Sequence, residues 1–142
     1  MNGASPIAAA DTRIRQLELG PHASLQFLAW SPLDGRRLRA ELRIRAPDNH
    51  AGHHWQPHFA GIEFRLYAEI EGLGRATALV DGMAAASDPD AIVHQLVFEL
   101  SAEQVDAVRL GADLGFGVDD DRMRVGARVK GQLLATLLSE LR

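Results

Sequence analysis

From Arg37 to Ala46 the chain reads RLRAELRIRA, and from Ile62 to Glu71 it reads IEFRLYAEIE. In the first stretch Leu38, Ala40, Leu42 and Ile44 alternate with Arg39, Glu41, Arg43 and Arg45. In the second, Ile62, Phe64, Leu66, Ala68 and Ile70 alternate with Glu63, Arg65, Tyr67, Glu69 and Glu71. A period of two puts successive side chains on opposite faces of a strand, so each stretch predicts one face in a core and one in water. Placed side by side as antiparallel neighbours, with opposed positions summing to 106, they set Arg43 against Glu63, Glu41 against Arg65, Arg39 against Tyr67 and Arg37 against Glu69. That register opposes no like charges, and cross-strand pairs are where sheets gain register specificity.

The same period recurs on both sides. Ile14 to Leu19 and Ser24 to Trp30 flank the turn-prone Gly20-Pro21, and shorter strands are expected at Arg75 to Val80 and Ile92 to Leu100. Leu114, Phe116 and Val118, then Met123, Val125, Ala127 and Val129, make a hairpin around Asp119-Asp120-Asp121. Helical spacing appears in two places. Ser101 and Gln104 form a capping box ahead of Val105 and Val108, predicting a short helix over Ala102 to Leu110. Leu133, Leu134, Leu137, Leu138 and Leu141 form one stripe of an amphipathic helix over Gln132 to Leu141, which should dock on a sheet as a lid. Strands joined by turns, without regular strand–helix alternation, predict a mainly β fold. The expected form is an antiparallel β-sandwich or partly closed barrel, with one short helix and a C-terminal amphipathic helix. Gly82 to Asp90 reads as a surface loop.

Composition agrees with a folded chain. The 142 residues are 46% hydrophobic and 24% charged, far from the disordered corner of composition. The expected layout is a disordered lead over residues 1–10 and one β-rich domain over 11–142. MNGASPIAAA lacks the basic start and the long apolar stretch of a secretory signal, and no run reaches the roughly 18 apolar residues of a membrane helix. The expectation is a soluble, cytoplasmic protein, and the excess of arginine over lysine suggests a GC-rich bacterial source. With no cysteine, disulfides, thiolate zinc sites, iron–sulfur ligation and cysteine nucleophiles are excluded. A net charge of −4 exerts no global pull on nucleic acid or anionic lipid. The arginines at 36, 37, 39, 43 and 45 read as a stripe neutralised by Glu63, Glu69 and Glu71, so no nucleic-acid partner is expected.

Chemistry-bearing residues concentrate in DNHAGHHWQPHF, which begins at Asp48. Four of the six histidines, His50, His53, His54 and His58, fall within nine residues there. Neutral imidazole is the commonest protein metal ligand, so the stretch is a candidate site for zinc, iron or nickel; the plainer reading is a solvated polar loop. His94 falls on the apolar side of its strand, as a satisfied core histidine or else as a ligand or acid–base group. Asp119 to Asp121 lacks the later ligands of a calcium loop and reads as a turn. No nucleophile elbow, phosphate loop or complete dinucleotide fingerprint is present, so the expectation leans away from an enzyme.

The strings FAGIEFRLYAEIEG from Phe59, VHQLVFELSAEQVDAV from Val93, GADLGFGVD from Gly111 and LLATLLSEL from Leu133 resemble, in the same order, a bacterial family of unknown function. LGPHASLQF, from Leu19, is a fainter match to that family's early strand. The resemblance covers the chain from Phe59 onward and the first half poorly. It implies an accessory role, because the genes of that family often stand beside those of rubrerythrin and a heterodisulfide-reductase-like iron–sulfur protein. The chain departs from the family in two places: a helical segment is shortened to WSPLDG, and the family's His-Pro after an aspartate is replaced by Asp120-Asp121. His94 matches the family's Val-His segment. The readings carried forward are a non-enzymatic accessory module that docks on a protein partner or on itself, a metal-binding protein or metalloenzyme using the histidine-rich stretch, and a carrier with a cavity under the C-terminal helix.

Overall fold

The computed structural model describes residues 15–28, 36–46, 59–84 and 91–141. The expected lead over residues 1–10 lies outside them, as do His50, His53, His54 and His58. Within them the alternating stretches form β1 (Gln16–Gly20), β2 (Ala23–Phe27), β3 (Arg37–Arg45), β4 (Leu66–Ile70), β5 (Gly74–Thr77), β6 (Leu79–Ala84), β7 (Ala91–Glu99), β8 (Leu114–Asp120) and β9 (Met123–Arg128). The helices are α1 (Ala102–Arg109) and α2 (Gly131–Glu140). A five-stranded sheet in the order β1-β2-β3-β7-β6 faces a four-stranded sheet in the order β5-β4-β8-β9. Every pairing is antiparallel, so the mainly β sandwich expected from the alternation is what forms.

The core lies between the inner faces, as two amphipathic sheets require. Phe116 of β8 sits between Phe27 and Phe98 of the opposite sheet, with ring centroids 4.9 Å away from each. Leu25, Leu38, Leu42, Leu66 and Leu96 are fully enclosed around them. Along one side the sheet edges come very close: a Cβ on Gly20 of β1 would stand 2.7 Å from Cγ1 of Val125 in β9. On the other side the chain passes from sheet to sheet at Ala78, whose N–H donates to the Leu66 carbonyl at 2.9 Å. The expected single strand over Arg75 to Val80 is therefore two strands in different sheets. Strand also claims the first residues of the expected Gly82 to Asp90 loop, since β6 runs through Ala84.

The helices form where the capping box and the leucine stripe place them. Ser101 Oγ accepts from the Gln104 amide at 3.1 Å and Gln104 Oε1 from the Ser101 amide at 2.9 Å, opening α1. Helix α2 buries Leu133 and Leu137, with Leu141 buried just beyond its end. Its last residue, Glu140, is gripped from the other end of the chain: Arg15 donates to its two oxygens at 2.8 and 2.7 Å and also to the Phe27 and Leu28 carbonyls. Among the described residues no helix is long and apolar enough to cross a membrane.

One sequence expectation is overturned. β3 and β4 are not neighbours but lie in opposite sheets. Arg43 stands opposite Ser24 and Val93, and Glu41 opposite Gln26 and Gln95. The acids proposed to neutralise the stripe are replaced by others: Arg37 pairs with Glu99 at 2.8 Å and Arg45 with Glu18 at 3.0 Å, while Glu69 faces Arg75 at 3.4 Å. Charge matching selects a register only after two strands are adjacent, and the buried faces decide adjacency. Apolar burial outweighs exposed pairs worth roughly 0.2–1 kcal/mol each.

Candidate functional site

The second overturned expectation creates the site. The alternation from Ile62 predicts strand throughout, yet Ile62–Arg65 winds into a 3-10 turn before β4 begins. Gly61 precedes it with φ 88°, a left-handed conformation that a side chain would resist. Three residues per turn replace the two-residue period, so Ile62 stays buried and Arg65 exposed while Glu63 and Phe64 trade places. Phe64, expected in the core, is 61% exposed, and Glu63, expected in water, turns inward to 14% side-chain exposure.

Glu63 meets His94. The histidine sits on β7 between β3 and β6, opposite Leu42 and Met83 in register, on the same face as Leu96 and Phe98. Its side chain is 6% exposed, and its Nε2 lies 3.5 Å from Oε1 of Glu63. That contact is longer than an ordinary hydrogen bond, and Glu63 Oε1 is buried without a hydrogen-bond partner. Native structures leave few buried polar atoms unsatisfied, because desolvating one without a partner costs about 1–3 kcal/mol. An imidazole nitrogen and a carboxylate oxygen are both ligands of divalent transition metals. Two ligands at 2.0–2.2 Å from one tetrahedral ion stand about 3.4 Å apart, close to the separation seen here.

A charged clamp holds the turn in place. The β8–β9 hairpin brings Asp120 and Arg122 alongside it, and Asp120 accepts from the Arg122 backbone amide at 2.9 Å, from Nε at 2.8 Å and from Nη2 at 3.1 Å. Arg122 Nη1 donates to the Ala60 carbonyl at 2.7 Å, tying the hairpin to the residue before Gly61. Arg65 adds a longer contact, with Nε 3.8 Å from Asp120 Oδ2. The side-chain and then the backbone hydrogen bonds from Arg122 hold the Asp120 carboxyl far below the ordinary carboxylate range. The side-chain hydrogen bonds to Asp120 raise the Arg122 pKa, with smaller contributions from the charges of Asp120 and Glu63.

Of the sequence candidates, His94 is placed in this site, while the four histidines of the 50–58 stretch belong to residues that are not described. Among the described residues no three His, Asp or Glu side chains converge as a metal-ligand set. Glu63, Asp120 and Arg122 were missed. The signal that pointed at Glu63 misled, because a 3-10 turn written with alternating residues looks like strand. An open groove of about 550 Å³ lies elsewhere, on the outer face of the four-stranded sheet beside Tyr67, Asp113 and Arg128. Its charges are matched: Arg128 faces Asp113 at 3.4 Å, and Arg75 lies 3.9 Å over the Tyr67 ring while bonding Glu69 and Asp119.

Comparison with known proteins bears on the scaffold. The chain is similar in structure to a novel protein of unknown function from Burkholderia pseudomallei K96243, with a TM-score of 0.76 and 21% identity, covering 97% of this chain and 89% of that one. At that identity the likeness is one of fold. No curated protein matches the sequence. A family model described as protein of unknown function (DUF3501) matches residues 28–141, and the chain belongs to that family.

Proposed function

We propose that the protein is a metal-binding accessory protein in which Glu63 and His94 are two ligands of one divalent transition-metal ion. The observation that carries this reading is the buried, unpartnered Oε1 of Glu63 facing Nε2 of His94. A cation between the two would satisfy the oxygen and use the imidazole lone pair. With nitrogen and oxygen donors and no thiolate, the pair suits zinc, iron or nickel better than copper(I). The reading adds imidazoles from His50, His53, His54 and His58, whose chain reaches Glu63 five residues after His58. An accessory role fits the gene neighbourhood that the family resemblance implies, beside rubrerythrin and an iron–sulfur protein.

The test is metal titration of tag-free protein after chelation, by calorimetry and elemental analysis. One equivalent of zinc is expected. Glu63→Gln and His94→Ala should each weaken binding by about 100-fold, at or beyond the upper end of what loss of an outer-shell contact does. Replacement of His53 and His54 by Ala should weaken it as well. Wild-type affinity in both Glu63→Gln and His94→Ala would overturn the reading.

A further inference from the structure

We infer that Asp120 is a positioning residue for the Glu63–His94 site: by holding the Arg122 guanidinium, it keeps that cation off the Glu63 carboxylate and leaves Oε1 open to an incoming ion. The inference rests on the metal-binding reading. Arg122 reaches the neighbourhood of Glu63, since a Cβ on Gly61, two residues before Glu63, would lie 3.8 Å from its Nη2. A guanidinium and a buried carboxylate without a hydrogen-bond partner are natural partners, because charge-assisted N–H···O bonds are among the strongest in proteins. Yet Oε1 of Glu63 has no such bond. The guanidinium is engaged elsewhere, its bonds including Nε and Nη2 on Asp120 and Nη1 on the Ala60 carbonyl. Asp120 has the means to hold it: its carboxyl is 11% exposed and receives three hydrogen bonds from Arg122. Arg122 and a metal ion thus compete for one carboxylate, and Asp120 decides the competition. The charge of Glu63 is felt at Arg122, which agrees with the two lying within reach.

The competition has a signature that a simple structural role lacks, namely rescue by a second deletion. Zinc titrations of the full tag-free chain would compare the wild type, Asp120→Asn, Arg122→Gln and the double variant. They would be run at about 0.5 M salt, where the Debye length falls to about 4 Å and net-charge effects are screened. Asp120→Asn should weaken zinc binding about 10-fold or more. Arg122→Gln, which also gives up the clamp on Ala60, should bind zinc more tightly than Asp120→Asn, and the double variant should match Arg122→Gln. A double variant as weak as Asp120→Asn overturns the inference. Melting with EDTA checks folding, and if Asp120→Asn fails to melt cooperatively, the double variant against Arg122→Gln decides: equal affinity supports the inference, and a double variant about 10-fold weaker than Arg122→Gln defeats it. Glu63→Gln keeps the two proposals apart. If it binds zinc as the wild type, the metal reading itself fails; if it loses zinc while Asp120→Asn does not, only the role of Asp120 fails.

Discussion

Glu63 occupies a place where a carboxylate is costly. Its Oε1 is enclosed and has no hydrogen-bond partner, with the imidazole of His94 3.5 Å away. Such a group makes the metal-free fold less stable than it need be, which is how binding sites commonly differ from the rest of a protein. Glu63→Gln should therefore raise the stability of the chelated protein, by about 1 kcal/mol, since the neutral amide is cheaper to bury and can donate to the imidazole. Urea unfolding in EDTA measures this, and a loss of stability of that size would speak against the strain. His94 was legible as a buried histidine from strand parity alone. Glu63 was not, because Ile62, Phe64 and Leu66 keep the parity of a strand, and only the backbone shows that Gly61 starts a tighter turn.

The strands from β7 to β9 and both helices follow the written pattern closely, because each period was long enough to be unambiguous. The capping box at Ser101 and Gln104 forms as read. Ala78 shows what a periodicity cannot carry: the chain changes sheets within an unbroken alternation. The pairing of β3 with β4 failed for a related reason, since alternation defines a strand's faces without naming its neighbour. The β8–β9 hairpin read as a turn, but its clamp on Ala60 was invisible because the partners are 62 residues apart. That clamp predicts a pH dependence. The Asp120 pKa is depressed by folding, so its contribution is full above the unfolded value of about 4 and shrinks as the pH falls toward the folded value. Asp120→Asn should thus be less stable than the wild type at pH 7, with the gap narrowing below about pH 4. Urea melts at pH 7 and pH 3 test the sign, and a gap that widens on acidification would contradict it.

At the scale of the molecule, the sandwich brings together residues that no local reading joins. His94 comes from the five-stranded sheet, Glu63 from the turn that leads into the four-stranded sheet, and the Asp120–Arg122 clamp from the hairpin at the end of β8. The sheets are tied at Gly20 against Val125, at Ala78, and through Arg15 and Glu140, so the two donors are held by a shared core and not by a loop alone. The most direct test of a metal ion at this junction is anomalous diffraction at the zinc edge from crystals of the zinc-saturated, tag-free protein. The account predicts an ion about 2.0–2.2 Å from both Glu63 Oε1 and His94 Nε2. A zinc-saturated structure in which those two atoms still face each other without an ion, with any zinc held elsewhere, would contradict it.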